Sequence, residues 1–467
     1  MNVKYKFKTK PYKHQEECLG ISWDKKAFAL FMEMGTGKSK VLIDNISMLS
    51  ERSMIDFALV IAPKGVYRNW SEKEIPEHMP DRIKKEMIVW KVGLSEKDKN
   101  TLKETKSLII FMMNVEAFSS LKGKKAGEWL AKKYGSRGII ALDESTTIKN
   151  HKAKRTKALV NVSEHFKYRR ILTGSPVTNS PLDLFSQCQF LGKNMLGFDS
   201  YYPFQARYAV MTRKNMGSIS FNQIVGYKNM DELTQKIDKF SFRVLKEDCL
   251  DLPAKIYTSR HVSMTPDQLK MYEEIRKKAI LMLDSDEMVT APMVVTQMLR
   301  LQQILSGHIK TDNGELITFP SKRMDAVMEI CEEVNGKVII WSRFRYDVIN
   351  ITKKLNEKFG SKFKPVVVSF FGDTSDNDRQ ENVRKFQDPD SNIRFFVGNP
   401  QTAGLGLTLN AANTVIYYAN DFNLGTRMQS EDRCHRIGQH YPVTYIDLIT
   451  DGTIDDKIVK SLRNKIN

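Results

Sequence analysis

Short apolar runs alternate with longer amphipathic segments along most of the chain. The runs are rich in β-branched and aromatic residues and are apolar on both faces, which is typical of parallel strands covered by helices on both sides. In the first half they are 28–31, 58–61, 108–111, 139–142 and 170–172, and in the last third they are 338–341, 365–368, 395–397, 415–418 and 444–446. Two such sets predict an α/β protein with two parallel-sheet lobes and helical insertions between them.

The stretch between the two sets has a different pattern. Its apolar residues recur at helical spacing among many charges, without the alternation of strands. Asn313-Gly314 indicates a tight hairpin, and Leu252-Pro253 indicates a hinge because proline disfavours helix at the residue before it. We therefore predict an N-terminal lobe over residues 1–250 with a helical protrusion at about 195–240, an interlobe helical segment over 251–320, and a C-terminal lobe over 321–467.

Composition limits the class of protein. The 467 residues are 41% hydrophobic and 27% charged, as in soluble globular proteins. No apolar run approaches the roughly 20 residues that cross a bilayer, and no apolar segment follows the basic N-terminus, so we expect a cytoplasmic protein. Five scattered cysteines without a C-x-x-C pair indicate reduced thiols and no structural metal. The net charge of +18 favours a polyanionic partner, although a surface made basic for solubility is the alternative.

A glycine-rich loop stands between the first predicted strand and a predicted helix. In Gly35-Thr36-Gly37-Lys38-Ser39, the glycines let backbone N–H groups turn inward around a phosphate, and the helix N-terminus adds its positive dipole end. Lys38 would neutralise the β- and γ-phosphates of ATP, and Ser39 would bind Mg²⁺. The usual pattern has another glycine at the position of Met32, so a simple glycine-rich turn is the alternative.

Two carboxylates, Asp143 and Glu144, follow a buried strand. This position places them at the carboxyl edge of a parallel sheet, where ligands bind. Asp143 would hold Mg²⁺ through water, and Glu144 would orient and polarise the attacking water. An acidic turn after a strand is common in itself, but together with the glycine-rich loop it predicts ATP hydrolysis.

Two arginines near the C-terminus, Arg433 and Arg436, are three residues apart. A helix would carry both on one face. An arginine presented from the second lobe to the γ-phosphate would stabilise charge in the transition state. The alternative is a solvated helical face with ordinary salt bridges.

These segments, in this order, resemble the Swi/Snf-type branch of helicase superfamily two over most of the chain. Gln429–Gln439 fits the branch's Q-x-x-D-R-x-H-R-I-G-Q pattern, Asp143–Asn150 resembles D-E-A-H-x-x-K-N, and Leu172–Asn179 resembles L-T-G-T-P-x-x-N. Further matching segments are Pro11–Gln15, Met34–Ser39, Ile61–Val66, Asn69-Trp70, Arg243, Lys246, Leu252-Pro253 and Gly404–Leu407. The resemblance implies two RecA-like lobes that hydrolyse ATP and move along double-stranded DNA, in a compact form found in bacteria and phages.

The resemblance also implies which residues touch each ligand. Gln15 would contact adenine, and the nucleotide-binding set would be Gln15, Met34, Gly35, Thr36, Gly37, Lys38, Ser39, Gly404 and Gln429. Nucleic-acid phosphates would be gripped by loops of both lobes at Lys64, Asn114, Gly174, Ser175, Ser342, Arg343, Gln401 and Thr402. The DNA contact would be independent of base sequence. Basic clusters at 122–125, 132–137 and 152–157 would add affinity or would simply be solvated.

The chain departs from the family pattern at a few positions. Ser145-Thr146 replaces Ala-His, where a histidine often links the ATP state to the next motif, and Ala403 and Thr408 differ from the usual motif V. We therefore expect coupling to be built differently here. Two other functions remain open: a strand-separating or annealing helicase on branched DNA, and an ATP-switched DNA- or protein-binding module with little turnover. The expected location is the nucleoid, or the host cytoplasm if the protein is viral.

Overall fold

The chain divides into two compact units, Met1–Asp251 and Leu252–Asn467. The computed structural model describes residues 5–64, 66–178, 180–216, 219–249, 252–284, 291–311, 313–361, 364–372, 374, 376–403 and 407–466. No helix in these ranges is long and apolar enough to cross a membrane.

The first unit is built on a sheet of parallel strands. In the described residues, seven strands pair in the order β3-β4-β2-β5-β6-β1-β9, and an antiparallel hairpin, β7–β8, lies outside this sheet. The strands are β1 (Ala27–Met32), β2 (Phe57–Ala62), β3 (Lys85–Val89), β4 (Leu108–Asn114), β5 (Gly138–Asp143), β6 (Tyr168–Leu172), β7 (Ala209–Met216), β8 (Ile219–Tyr227) and β9 (Ser241–Val244). The five strands predicted for this lobe are confirmed.

Helices cover both faces of the first sheet. On β2, Phe57 and Leu59 enter the apolar core on one face, whereas Ala58 and Val60 enter the core on the other. The helices are α1 (Lys13–Ser22), α2 (Lys38–Glu51), α3 (Tyr67–Asn69), α4 (Ile75–His78), α5 (Glu96–Glu104), α6 (Leu121–Tyr134), α7 (Lys154–Ser163), α8 (Leu184–Leu191), α9 (Tyr201–Tyr208), α10 (Met230–Asp238) and α11 (Lys246–Cys249). Strands apolar on both faces therefore arise because each face has its own helical layer.

The predicted helical protrusion at 195–240 is only partly helical. It contains α9 and α10, but the hairpin β7–β8 lies between them. The helical expectation was therefore wrong for residues 209–216 and 219–227. Val210 and Met211 of β7 are both exposed, so the alternation of apolar and polar residues that marks a strand is missing.

The second unit also contains a parallel sheet. In the described residues its strands pair in the order β10-β17-β16-β13-β15-β14. The strands of this unit are β10 (Lys255–His261), β11 (His308–Lys310), β12 (Leu316–Thr318), β13 (Lys337–Trp341), β14 (Val367–Phe370), β15 (Phe395–Gly398), β16 (Ala412–Tyr417) and β17 (Val443–Ile449). Val338 and Ile340 pack into one core, whereas Ile339 and Trp341 pack into the core on the opposite face. The predicted α/β class with two parallel-sheet lobes is confirmed.

The segment predicted as an interlobe connection, 251–320, falls within the second unit from Leu252 onward. Its first strand, β10, extends the second sheet by pairing with β17. The predicted hairpin is present as β11–β12, and Gly314 between them has a φ of +89° that favours glycine. The helices of this unit are α12 (Pro266–Asp284), α13 (Ala291–Leu305), α14 (Lys322–Glu333), α15 (Arg345–Phe359), α16 (Asp376–Gln387), α17 (Pro400–Ala403), α18 (Leu424–Glu431) and α19 (Ile454–Ile466).

We predict that the buried side chain of Arg323 stabilises the second unit. Its guanidinium donates to the Tyr418 carbonyl at 2.7 Å and to the Thr450 hydroxyl at 3.2 Å, and it forms an ion pair with Asp455. Arg323→Met leaves the Asp455 carboxylate buried without its cation, and we expect a loss of about 3–5 kcal/mol in the free energy of unfolding. Hydrogen exchange of β13 and β16 amides measures this loss. Arg384→Met, at an exposed ion pair with Glu381, is the control, and equal effects of the two variants would contradict the prediction.

Candidate nucleotide site and nucleic-acid surface

The glycine-rich loop folds around one carbonyl. Both the N–H and the hydroxyl of Thr36 donate to the Glu33 carbonyl, at 3.3 and 2.7 Å, and Lys38 Nζ donates to the same oxygen at 3.4 Å. Gly35 and Gly37 have φ values of +84° and +87°, in the left-handed region that favours glycine. The loop therefore takes the turn predicted from its glycines and leads into the N-terminus of α2, which is suited to an anion.

Gln15 and His14 support this loop from α1. The Gln15 amide nitrogen and the His14 ring nitrogen Nε2 lie 2.9 and 2.8 Å from the Thr36 carbonyl, and Gln15 Oε1 accepts the Tyr12 N–H at 3.0 Å. A Cβ atom on Gly37 would lie 2.1 Å from the Gln15 nitrogen. The contact of Gln15 with adenine stays a prediction, and the structure adds a supporting role for its side chain.

The acidic pair lies at the carboxyl end of β5. Asp143 is buried, with Oδ2 accepting the Trp70 indole N–H at 3.2 Å and Oδ1 accepting the Glu144 N–H at 3.0 Å. Burial first, and then the charge of Glu144, raise the pKa of Asp143 above its usual range, while the Lys38 ammonium and the Trp70 indole lower it. Because β1 and β5 both pair with β6, the glycine-rich loop and the acidic pair stand at the same edge of the sheet and form one candidate site.

Trp70 has a role that the sequence did not indicate. Its segment, Asn69-Trp70, is one of those that match the family, and the Trp70 side chain is buried with its indole bonded to Asp143. A tryptophan at this spacing gives no sign of a carboxylate partner 73 residues away.

The predicted metal ligands, Ser39 and Asp143, belong to the same lobe. In the part of the chain that the structure describes, no group of three or more His, Cys, Asp or Glu side chains could hold a metal ion. Mg²⁺ prefers six oxygen ligands and commonly takes several of them from phosphates and water. The donor set present therefore fits a magnesium ion that arrives with a nucleotide.

The two arginines do not share a helix. Helix α18 ends at Glu431, and both Arg433 and Arg436 lie in the turns that follow, so the helical prediction was wrong there. Gln439 fixes the end of this turn, because its Nε2 donates to the carbonyls of Ala412 and Asn410 at 2.8 and 3.2 Å. The structure nevertheless brings the arginines together, since each donates to the Leu407 carbonyl, at 3.4 and 3.3 Å.

The two other nucleotide contacts implied for this lobe are Gln429 and Gly404. Gln429 is half-buried on α18. Gly404 lies outside the described residues, as does Asn179 of the first lobe. Their roles stay predictions.

Arg427, which precedes the turn with Arg433 and Arg436, is the centre of a buried ionic network. Arg427 pairs with Glu431 at 2.8 Å and with Asp447 at 2.5 Å, and Glu431 also accepts from Tyr257 at 2.8 Å and pairs with Lys255 at 3.2 Å. Burial opposes ionisation, but the charges of Arg427 and Lys255 lower the pKa of Glu431. The network ties α18 to β17 and β10, and sequence spacing offered no signal for it.

In the first lobe, two predicted nucleic-acid contacts share a carboxylate. The Lys64 N–H and the Asn114 amide nitrogen both donate to Glu116 Oε2 at 3.1 Å. Gly174 lies against the glycine-rich loop instead, since a Cβ there would be 3.0 Å from the Met34 nitrogen. The Ser175 N–H is 3.2 Å from the Thr173 hydroxyl. Candidate phosphate donors thus stand at the ends of β2, β4 and β6.

In the second lobe, the Asn399 side chain hydrogen-bonds to the backbone of three of the four residues predicted to contact nucleic acid. Its amide nitrogen donates to the Arg343 carbonyl at 2.6 Å, and its oxygen accepts the N–H groups of Gln401 and Thr402 at 2.9 and 3.3 Å. Ser342 differs from them, because it is fully buried and its hydroxyl donates to Asp347 at 2.6 Å. The Ser342 side chain therefore does not share the surface of the other three.

The basic clusters lie on neighbouring helices. Helix α6 packs beside α7, so the clusters at 122–125, 132–137 and 152–157 belong to one part of the first lobe. Trp129 is 48% exposed on α6 among these lysines. The exposed lysines are Lys122, Lys124, Lys125, Lys132, Lys133, Lys152, Lys154 and Lys157. We call this group the α6–α7 basic surface.

The fold and the site define a two-lobed α/β protein with a glycine-rich loop and an acidic pair at one sheet edge of its first lobe. A model of the SNF2-related domain matches residues 14–309, and a model of the helicase conserved C-terminal domain matches residues 322–438. The chain belongs to the SNF2-related family, and the resemblance stated from its motifs is confirmed.

Individual relatives are larger proteins. The TATA-binding protein-associated factor MOT1 of Saccharomyces cerevisiae is 27% identical over 378 residues, which cover 70% of this chain and 20% of that protein. An "Uncharacterized ATP-dependent helicase" of Mycoplasma pneumoniae is 26% identical over 475 residues, covering 98% of this chain and 42% of that protein. The solved "SWI2/SNF2 ATPase core in complex with dsDNA" of Sulfolobus solfataricus is 25% identical, with a TM-score of 0.44, and the match covers 98% of this chain and 91% of that one. The chain thus spans less than half the length of these two curated relatives.

We predict that Gly37→Ala weakens nucleotide binding. Gly37 has a left-handed backbone that alanine adopts only with strain, and the new Cβ would displace the Gln15 amide, which holds the loop. We expect the affinity for a fluorescent ATP analogue to fall by about tenfold or more. Gly20→Ala is the matched control, because a Cβ at Gly20 has nothing within 4 Å. Equal affinities of the two variants would show that the loop does not hold the nucleotide.

Proposed function

We propose that this protein is a DNA-stimulated ATPase that moves along double-stranded DNA. The observation that carries the proposal is geometric: β1 and β5 both pair with β6, so the glycine-rich loop with Lys38 and the acidic pair Asp143-Glu144 stand at one edge of the first sheet. This is the set of groups that ATP hydrolysis requires, and it is assembled on a fold of the SNF2-related family.

Each group in the site has a proposed task. Lys38 neutralises phosphate charge, Ser39 and Asp143 hold Mg²⁺, and Glu144 orients and polarises the attacking water. A bound Mg²⁺ supplies positive charge to the phosphate oxygens and keeps a nearby carboxylate ionised, which offsets the effect of burial on Asp143. Arg433 and Arg436 would stabilise the charge that develops on the γ-phosphate.

Several features support DNA as the partner. The candidate contacts lie at strand ends and include the cationic side chains of Lys64 and Arg343 and the amide side chains of Asn114 and Gln401, which can bind phosphates without reading base edges. The net charge of +18 and the α6–α7 basic surface favour a polyanion. We therefore propose a contact that is independent of base sequence, in the nucleoid or in the host cytoplasm if the protein is viral.

The ATPase rate tests the proposal with five ligands: none, single-stranded DNA, double-stranded DNA, a fork and RNA. We expect the largest stimulation with double-stranded DNA. Stimulation by forks together with strand displacement would favour a strand-separating helicase instead. A rate that is the same with every ligand, accompanied by tight nucleotide-dependent DNA binding, would favour an ATP-switched binding module.

We predict that Lys38→Ala and Glu144→Gln each remove most of this activity. Loss of a positioned group that polarises the nucleophile lowers kcat by about a hundredfold or more. The matched controls are Lys25→Ala and Glu16→Gln, which change exposed residues outside the site and are expected to keep the wild-type rate. Wild-type hydrolysis by Glu144→Gln would rule out the assignment of the acidic pair.

We also predict that the α6–α7 basic surface contacts DNA phosphates. Replacing Lys124, Lys125, Lys132 and Lys133 with glutamine removes cations that would neutralise DNA phosphates and so release the counterions condensed on the DNA. The slope of log affinity against log salt should then become shallower by about 0.9 for each phosphate that the variant no longer neutralises. The control is Lys353→Gln with Lys354→Gln on α15, two exposed lysines of the second lobe. The same slope in the wild type and the four-lysine variant would mean that this surface is only solvated.

A further inference from the structure

A buried hydrogen-bond chain joins the acidic pair to the loop after β6. Ser145 directly follows Glu144, and its hydroxyl donates to Gln187 Oε1 at 2.6 Å. Gln187 Nε2 donates in turn to the Pro176 carbonyl at 2.8 Å and to the Asp183 carbonyl at 2.9 Å. Ser145 and Gln187 are both fully buried. One side chain on α8 therefore connects two loops at the carboxyl edge of the sheet.

The loop that Gln187 holds, residues 173–178, also contacts the glycine-rich loop. Gly174 lies so close that an added Cβ would be 3.0 Å from the Met34 nitrogen and 3.3 Å from the Glu33 Cα. At its other end, Thr178 accepts from Lys149 Nζ at 2.6 Å and donates its hydroxyl to Asp183 at 3.0 Å. The loop is thus held against the nucleotide site and against the segment that follows the acidic pair.

Burial makes these contacts resistant to independent movement. Gln187 uses its amide nitrogen for two acceptors and its oxygen for one donor, and leaving any of these groups unpaired in the interior would be unfavourable. A shift of the 173–178 loop must therefore carry Gln187 and Ser145 with it, or break a buried hydrogen bond.

The backbone at Glu144 depends on the same anchor. Glu144 has a φ of +51°, in the left-handed region that is unfavourable for residues other than glycine. Such a conformation persists only where its surroundings hold it. Ser145, whose hydroxyl is held by Gln187, is the adjacent residue, so the same anchor holds the backbone on one side of Glu144.

We propose that Gln187 is a positioning residue that couples the 173–178 loop to Glu144. A DNA phosphate bound at Gly174 and Ser175 would fix this loop, and the chain Pro176–Gln187–Ser145 would then hold Glu144 in the direction that activates water. This inference rests on the proposed function. It also supplies a route for coupling in a chain that has Ser145-Thr146 after its acidic pair, and it uses a residue 42 positions away from Ser145.

Three variants test the proposal: Gln187→Leu, which keeps a similar volume without polar atoms, the milder Ser145→Ala, and the double variant. We expect kcat with saturating double-stranded DNA to fall by about tenfold, while the basal rate and the KM for ATP stay within about twofold. The double variant should be no worse than Gln187→Leu, because both changes remove the same hydrogen bond. Gln189→Leu, at a half-buried position on the same helix, is the matched control.

A second measurement does not depend on DNA. Hydrogen exchange of the 173–178 amides is compared with and without a non-hydrolysable ATP analogue and Mg²⁺. We expect the nucleotide to increase protection of this loop by about tenfold in the wild type and to leave it nearly unchanged in Gln187→Leu.

Normal DNA stimulation in folded Gln187→Leu and Ser145→Ala overturns the proposal, and so does an equal fall of basal and stimulated rates, which would show structural support alone. If the wild type is not stimulated by any nucleic acid, the proposed function fails, and the exchange measurement decides whether Gln187 couples the loop to the nucleotide. Protection that is identical in wild type and Gln187→Leu would overturn the coupling.

Discussion

The arrangement of this site depends on one constraint: parallel strands end at the same edge of their sheet. In the first lobe, β1 leads into the glycine-rich loop, β5 into the acidic pair and β6 into the 173–178 loop. Since β6 pairs with both β1 and β5, these three loops stand side by side although they are far apart in sequence. The apolar layers on both faces fix the sheet, and the sheet in turn fixes where the loop with Lys38 and the acidic pair with Asp143 stand.

Buried polar contacts then set the shapes of the loops. Asp143 is removed from water, so its carboxylate requires the Trp70 indole, a backbone N–H and the nearby Lys38 charge. The second lobe uses the same principle on a larger scale, where Arg427 is paired with Glu431 and Asp447 beneath the turn that carries Arg433. Removal of one member of such a set leaves the others buried and unpaired, so the segments that carry these side chains resist independent movement.

The sequence predicted the central strands, the glycine-rich loop and the acidic pair because each has a strong local pattern. The edge strands β3 and β9 were missed because they are only partly buried, and their patterns are correspondingly weak. The helix expected at Arg433 and Arg436 ends at Glu431. Contacts that spacing does not reveal hold the chain on both sides of the turn: Glu431 pairs with Arg427 before it, and Gln439 donates to the Ala412 carbonyl after it. Asn399 and Gln187 could not be found from spacing at all, since their partners are brought to them only by the fold.

The same sheet edge presents the candidate groups for chemistry and for DNA contact. Gly174 and Ser175 lie on a loop that touches the glycine-rich loop on one side and reaches Ser145 through Gln187 on the other. A phosphate bound there would act on groups that are already packed against the candidate nucleotide site, so the proposed coupling needs no long-range change of shape within this lobe. A motor and an ATP-switched binding module differ, in this arrangement, by whether the position of that loop alters the direction of Glu144. The left-handed backbone at Glu144 makes that direction sensitive to its neighbours, as the proposed DNA-stimulated ATPase requires.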